Sequence, residues 1–147
     1  MRNRSPDLFQ PSLSTFQPCL LDVLSLCRDA NLPWLSQLQL RGWCRVRAGL
    51  ACFSCVDGRR SAAEHQLCIF CGRGARNAMK HCIATCSSWK SARTSFLSKV
   101  PQGDLLNADG VALGVLGVTP GMVGFLEAVA LCDGLDQGAS KFWADDR

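Results

Sequence analysis

The chain has 147 residues, 48% of them apolar and 19% charged, with ten cysteines and a formal charge of +4. This suits one domain with a core of its own and excludes a disordered chain. Ten cysteines would suit a secreted disulfide scaffold, but the opening MRNRSPDLFQPSLS has no apolar run fit for a secretory leader. The expectation is an intracellular protein, nuclear or cytoplasmic and not secreted, whose clustered thiols serve a metal.

Residues 1–17 are rich in proline and serine and read as a flexible arm. Across 18–30, Leu20, Val23, Leu24 and Cys27 recur at helical spacing. Asn31-Leu32-Pro33 reads as the start of a second helix over about 34–50. Leu35, Leu38 and Trp43 are its expected core side, Arg41, Arg45 and Arg47 its wet side. Gly42 weakens it. Residues 56–66 read as a polar connector, and 67–72 as a tight turn in which Gly72 takes a left-handed backbone. A third helix starts near Asn77, carries Met79, His81, Cys82 and Ile83, and continues with a kink through Trp89, Ala92, Phe96 and Val100. Asn107 and Gly110 mark a loop. Two apolar segments follow, 111–118 and 120–132, with Thr119-Pro120 as the cap and first position of a last helix that extends to Trp143. Pro120-Gly121 and Glu127 interrupt the apolar run 111–130 and favour a buried helix pair over a membrane span. The expected fold is mainly α, a small helical domain with a zinc knuckle between helices. It divides into the arm at 1–17, a helical zinc-binding region at 18–103 and an apolar helical segment at 104–147 packing on it.

The chemistry concentrates in CIFCGRGARNAMKHCIATC. Cys68 and Cys71 are separated by two residues; nine residues then lead to His81 and four more to Cys86. A Cys-x2-Cys knuckle followed by two ligands one helical turn apart offers zinc the thiolate and imidazole set it prefers. Four protein ligands leave no open coordination position, so the site is expected to be structural. Two other partitions share its cysteines. Cys52 and Cys55 with Cys68 and Cys71 would make a four-cysteine ribbon; Cys52, Cys55, His65 and Cys68 would make a third arrangement. The first is preferred because it also explains Gly72 and the downstream helix. Cys19, Cys27, Cys44 and Cys132 read as small core residues, Cys82 as facing elsewhere on its helix, and His65 as a surface residue.

No catalytic set emerges. Ser61, Ser87 and Ser88 have no evident base. Trp143-Ala144-Asp145-Asp146 pairs two carboxylates without the third that a two-metal polymerase needs, so no enzyme is expected.

Charge is unevenly spread. Residues 41–100 hold eleven basic and two acidic side chains, net +9, whereas 101–147 hold two basic and seven acidic, net −5. A basic block around a metal knuckle points to a polyanion, and nucleic acid is the commonest. Arg73, Arg76 and Lys80 are the expected phosphate contacts, extended by Arg59, Arg60, Lys90 and Arg93. Such contacts imply weak sequence preference for RNA or DNA. Trp89 is expected to pack on the core more than to stack on a base. The opposing reading is a solvated basic face that answers the acidic C-terminal third. The apolar C-terminal segment is a second candidate surface, for a protein partner; no membrane partner is expected.

From Trp43 to about Lys99 the chain resembles the zinc-binding region found behind the polymerase in reverse transcriptases of non-LTR retrotransposons. The resemblance rests on Trp43, Arg45 and Arg47, Arg59 and Arg60 before the knuckle, Cys68, Cys71, Gly72, His81 and Cys86, then Trp89 and Arg93. The polymerase palm and its catalytic aspartates have no counterpart in this sequence. The resemblance therefore implies a detached tail or remnant of such an element, one that binds nucleic acid without synthesising it.

Overall fold

The structure is a computed structural model that describes residues 20–29, 31–32, 35–56, 59–60, 66–75, 77–101 and 107–145. The arm at 1–17, His65 and Arg76 lie outside these. The chain runs α1 (Leu20–Asp29), α2 (Gln37–Arg47), β1 (Ser54–Val56), β2 (Arg59–Arg60), β3 (Gln66–Cys68), β4 (Gly74–Ala75), α3 (Ala78–Ala84), a 3-10 turn (Ser87–Trp89), α4 (Lys90–Leu97), α5 (Ala108–Gly117) and α6 (Phe125–Asp145). It is mainly helical, as expected from the sequence.

Helix α1 follows its stripe, with Val23 and Cys27 buried. Asn31, read from sequence as part of a start signal, instead closes α1 at φ 60°; asparagine tolerates this left-handed backbone better than most residues. The start of α2 lies at Ser36, whose hydroxyl accepts from the Gln39 N–H at 3.1 Å while Gln39 reaches back to the Ser36 N–H at 3.2 Å. That reciprocal capping box satisfies two otherwise orphaned donors and outranks the proline signal upstream.

The inward face of α2 is set by Leu40, Trp43 and Val46. Two sequence expectations fail on that phase. Leu38 lies off the stripe and is 66% exposed, while Arg47 falls on it and is 6% exposed, its guanidinium 4.2 Å from the centre of the Trp43 ring. Stacking on an aromatic face gives a buried cation partial compensation for lost water. Gly42 has a positive role rather than a weakening one. A Cβ there would lie 2.7 Å from Asp133 Oδ1, so glycine lets α2 and α6 approach closely. Across the same contact Trp43 meets Phe125 edge to face at 5.1 Å, and Arg45 Nε donates to Asp136 at 3.0 Å.

The polar connector holds short strands that leave no pattern in the sequence. A four-stranded antiparallel sheet runs β2-β1-β3-β4, with Ser54 opposite Cys68 and Gln66 opposite Ala75. Strands of two or three residues are too short to display an alternation of period two.

Two boundaries in the C-terminal third also move. Asn107 is the N-cap of α5, its side chain accepting from Gly110 N at 2.8 Å, so Gly110 lies inside a helix and not in a loop. Thr119-Pro120 does not start α6. Residues 119–124 form a turn with Gly121 and Gly124 at φ 92° and 88°, and the helix begins at Phe125. Among the described residues no helix is long and apolar enough to cross a membrane.

Candidate metal centre

The site is built from two local structures. Strand β3 ends at Cys68, the chain turns through Cys71, and Gly72 at φ 76° sends it back into β4. Gly72 N donates to Cys68 O at 2.9 Å and Cys68 N to Arg73 O at 2.8 Å, which closes the hairpin. The second pair comes from α3. The Asn77 side chain caps its start by accepting from Lys80 N at 3.1 Å. At its end Thr85 N and Cys86 N both donate to His81 O, at 2.8 and 2.7 Å, which curls Cys86 back beneath His81.

The ligand atoms of Cys68, Cys71, His81 and Cys86 all lie within 4.8 Å of one another, close enough to share one metal ion. Cys71 Sγ is 3.2 Å from His81 Nε2, and Cys68 Sγ is 3.8 Å from Cys86 Sγ. Thr85 Oγ1 lies 2.9 Å from His81 Nδ1 and 3.2 Å from His81 O. Nε2 faces the thiols, and the tautomer with its proton on Nδ1, where Thr85 Oγ1 can accept it, is the one a metal ligand at Nε2 needs.

Cys82, expected to face away, instead places its buried thiol 3.7 Å from Cys68 Sγ. Cys82 precedes Cys86 by four residues, and that i, i+4 spacing was the available sign that the two share a side. The Cys68 thiol is held down to about 4, first by the Cys82 S–H and then by the Cys71 and Phe70 amides, against its burial. The Phe70 N–H lies 3.4 Å from that sulfur. Cys82 is pushed far up by its bond to Cys68 and by burial, and Cys86 is raised to about 11, chiefly by burial. One thiolate is thus prepared beside two neutral thiols.

Of the expected phosphate contacts, Arg93 is the clearest correction. It is 8% exposed and points inward, Nε donating to Ile83 O at 2.8 Å and Nη2 to Cys86 O at 2.6 Å and Cys82 O at 3.4 Å. Burial pulls its pKa below the usual guanidinium value, while the nearby Cys86 and Cys82 oppose that. Its position among Trp89, Ala92 and Phe96, on the apolar stripe, was the sign in the sequence. Lys80 forms an ion pair with Asp109 at 3.0 Å, a contact between the basic block and the acidic third. Arg73 and Lys90 are exposed, and Arg59 and Arg60 make up β2.

The alternative cysteine partitions fare differently. Among the described residues no four-cysteine ribbon assembles; Cys52 Sγ turns to Ser54 O at 3.4 Å, and Cys55 lies in β1. The arrangement through His65 lies outside the described residues. Cys27 and Cys132 are buried as core residues, Cys44 is half-buried, and Cys19 is not described.

Aromatic residues seat the hairpin on the helical core. Phe70 meets Trp89 edge to face at 5.1 Å, and both rest on α6, where a Cβ on Gly138 would lie 2.9 Å from Phe70 and one on Gly134 2.9 Å from Trp89. Ser88 Oγ donates to Phe70 O at 3.3 Å. Trp89 is therefore a packing residue. The Trp143 indole donates to Cys52 O at 2.9 Å and ties the far end of α6 to the entry of the sheet. Comparison with family models, with curated proteins and with solved structures found no match to this chain.

Proposed function

We propose that Cys68, Cys71, His81 and Cys86 hold a structural zinc ion and that the chain is a zinc-stabilised nucleic-acid-binding module. The observation that carries the metal is the donor geometry. With Zn–S near 2.3 Å and Zn–N near 2.0–2.1 Å, tetrahedral edges are about 3.8 Å for S···S and about 3.6 Å for S···N. The Cys68–Cys86 separation is 3.8 Å and the Cys71–His81 separation 3.2 Å, near those edges, and no pair among the four exceeds 4.8 Å. Three thiolates and an imidazole fill the coordination shell, so the ion would supply folding energy, roughly 10–16 kcal/mol apparent at neutral pH.

The nucleic-acid surface is built on the remaining cations of the basic block: Arg59 and Arg60 in β2, Arg73 just after the knuckle and Lys90 at the head of α4, with Arg76 from the same stretch of sequence. Lys80 is paired with Asp109 and Arg93 is committed to carbonyl groups, so both contribute less than the sequence suggested. The resemblance to the zinc-binding tail of non-LTR reverse transcriptases supports the same reading. About three to five phosphate contacts give a slope of about −3 to −4.5 in log K against log salt. Fluorescence anisotropy on RNA and DNA oligonucleotides measures it, and a flat response sinks the reading. Native mass spectrometry of wild type, Cys71→Ser and Cys55→Ser tests the metal, with one zinc expected to be lost in Cys71→Ser alone.

A second reading, a protein-interaction module, draws on the apolar side chains at the C-terminal third. Leu113 is 48% exposed, Met122 54% and Val123 66%. If Met122→Ser with Val123→Ser abolishes capture of a protein partner while Arg73→Glu leaves oligonucleotide binding unchanged, this reading replaces the first.

A further inference from the structure

We infer that Arg93 is a positioning residue for the metal centre, its guanidinium fixing the backbone that carries Cys86 and closing α3 behind His81. The inference rests on the metal reading above and goes beyond it by naming what holds the second ligand pair in place.

Helix α3 has seven residues, and its last carbonyl groups lack intrahelical partners. Thr85 N and Cys86 N both go to His81 O, which leaves Cys82 O and Ile83 O facing inward. Arg93 reaches back from α4 and donates to both, and to Cys86 O as well. These three carbonyls belong to the helix end, the residue after His81 and the ligand Cys86 itself. A planar fork that spans them sets the angle between α3 and the turn into the 3-10 segment. It thereby sets the distance between His81 Nε2 and Cys86 Sγ. Cations also suit this place, because a helix C-terminus carries partial negative charge. Lysine lacks the fork and reaches such a set as a single point charge.

Outer groups that orient metal ligands commonly change affinity about 10–100-fold when removed. The test uses the full chain and cobalt(II) as a spectroscopic probe. Competition with a chelator gives affinity, and the visible absorption reports the ligand set. Wild type is expected to give the spectrum of a four-coordinate thiolate-rich site. Arg93→Met is expected to bind cobalt about 10–100-fold more weakly with altered thiolate charge-transfer bands. Arg93→Lys, which keeps the charge and most of the packing, is expected to remain at least about fivefold weaker, and it serves as the test if Arg93→Met does not fold. Val129→Ala, a core truncation on α6, controls for general destabilisation and is expected to keep the wild-type spectrum. Wild-type affinity and spectrum in Arg93→Lys overturn the inference, as does an equal loss in Val129→Ala. Wild-type protein that takes up no cobalt overturns the metal centre itself, an outcome distinct from a metal centre indifferent to Arg93.

Discussion

The α2–α6 interface and the hairpin that carries the cysteines are neighbours held by different physics. Between α2 and α6 the buried groups are large: Leu40, Trp43, Val46, Phe125, Leu131 and Leu135. Each contributes about 1.5–3 kcal/mol by leaving water, and the loss of any one is shared among the rest. The space between the hairpin and α3 is filled mostly by sulfur, Cys68 from the hairpin and Cys82 and Cys86 from α3 and the turn after it, with Ile83 also buried. Its strands have two or three residues each, too few to stand without support. Such a region depends on a few polar partners that must all be present. The first can fail gradually, whereas the second should fail at once.

Removing the metal is the strongest way to test that contrast. With roughly 10–16 kcal/mol of apparent folding energy withdrawn from one place, chelation is expected to melt 66–86. Residues 37–47 and 125–145 are expected to keep amide protection at least in part, because their apolar contacts are untouched. Hydrogen exchange with mass spectrometry, before and after chelation, reads both regions together. Equal loss of protection everywhere would show that the two regions form one cooperative unit, and the contrast would fall.

The same contrast explains what could be read from the sequence. Helices with a long apolar stripe were legible, α1 and the body of α2 among them, because period 3.6 repeats often enough to register. The four residues that gather at the candidate metal centre were legible because a chelate site fixes residue type and spacing together. Less legible were features decided by contact between distant segments. Gly42 looked like a weakness until Asp133 was seen against it, and Arg93 looked like a phosphate contact until the end of α3 was seen to lack partners. Cys82 is adjacent to His81, and adjacency in a helix points two side chains apart, which hides from the sequence that Cys82 approaches Cys68. The strands were hidden by their shortness. The start of α6 was misplaced because Thr119-Pro120 is a valid cap signal that the turn at Gly121 and Gly124 overrides.

The two regions meet at Gly134 and Gly138, and a smaller effect is expected there. Gly138→Val would drive a side chain against Phe70 at 2.9 Å and Trp89 at 3.3 Å. Neither ring is a flexible chain end, so overpacking of about 1–3 kcal/mol is expected. The decisive observation is where it appears. Faster metal loss to a chelator together with a lower melting temperature would show that α6 supports the metal centre. A Gly117→Ala control meets nothing within 4 Å and should be neutral or stabilising by up to about 1 kcal/mol. If Gly138→Val lowers melting temperature alone, the two regions are merely adjacent.

Proton competition gives the finest measure of the hairpin's dependence on its thiols. Metal binding requires thiolates, so any ligand still protonated must release its proton when metal enters. Cys68, held down to about 4, is already a thiolate between pH 6 and 9 and releases nothing there. Cys86, raised to about 11, is neutral across that window and must give up its proton. Metal affinity is therefore expected to rise with pH from 6 to 9 by at least about tenfold per unit, or about 1.4 kcal/mol. In the metal-free chain the two groups act with opposite sign. The lowered pKa of Cys68 gives stability that is full above its unfolded value of 9.0 and declines as pH falls toward 4. The raised pKa of Cys86 gives stability that is full below 9.0 and is lost as pH rises through about 11. Their sum places the greatest thiol contribution to metal-free stability near pH 9. Chelator competition and thermal melts across pH 6–10 read both effects. Cys82→Ala should shift the Cys68 part most, moving its loss to higher pH, because the S–H that holds this thiolate would be gone. An unchanged profile in that variant would mean that the Phe70 and Cys71 amides are enough to hold the thiolate without Cys82.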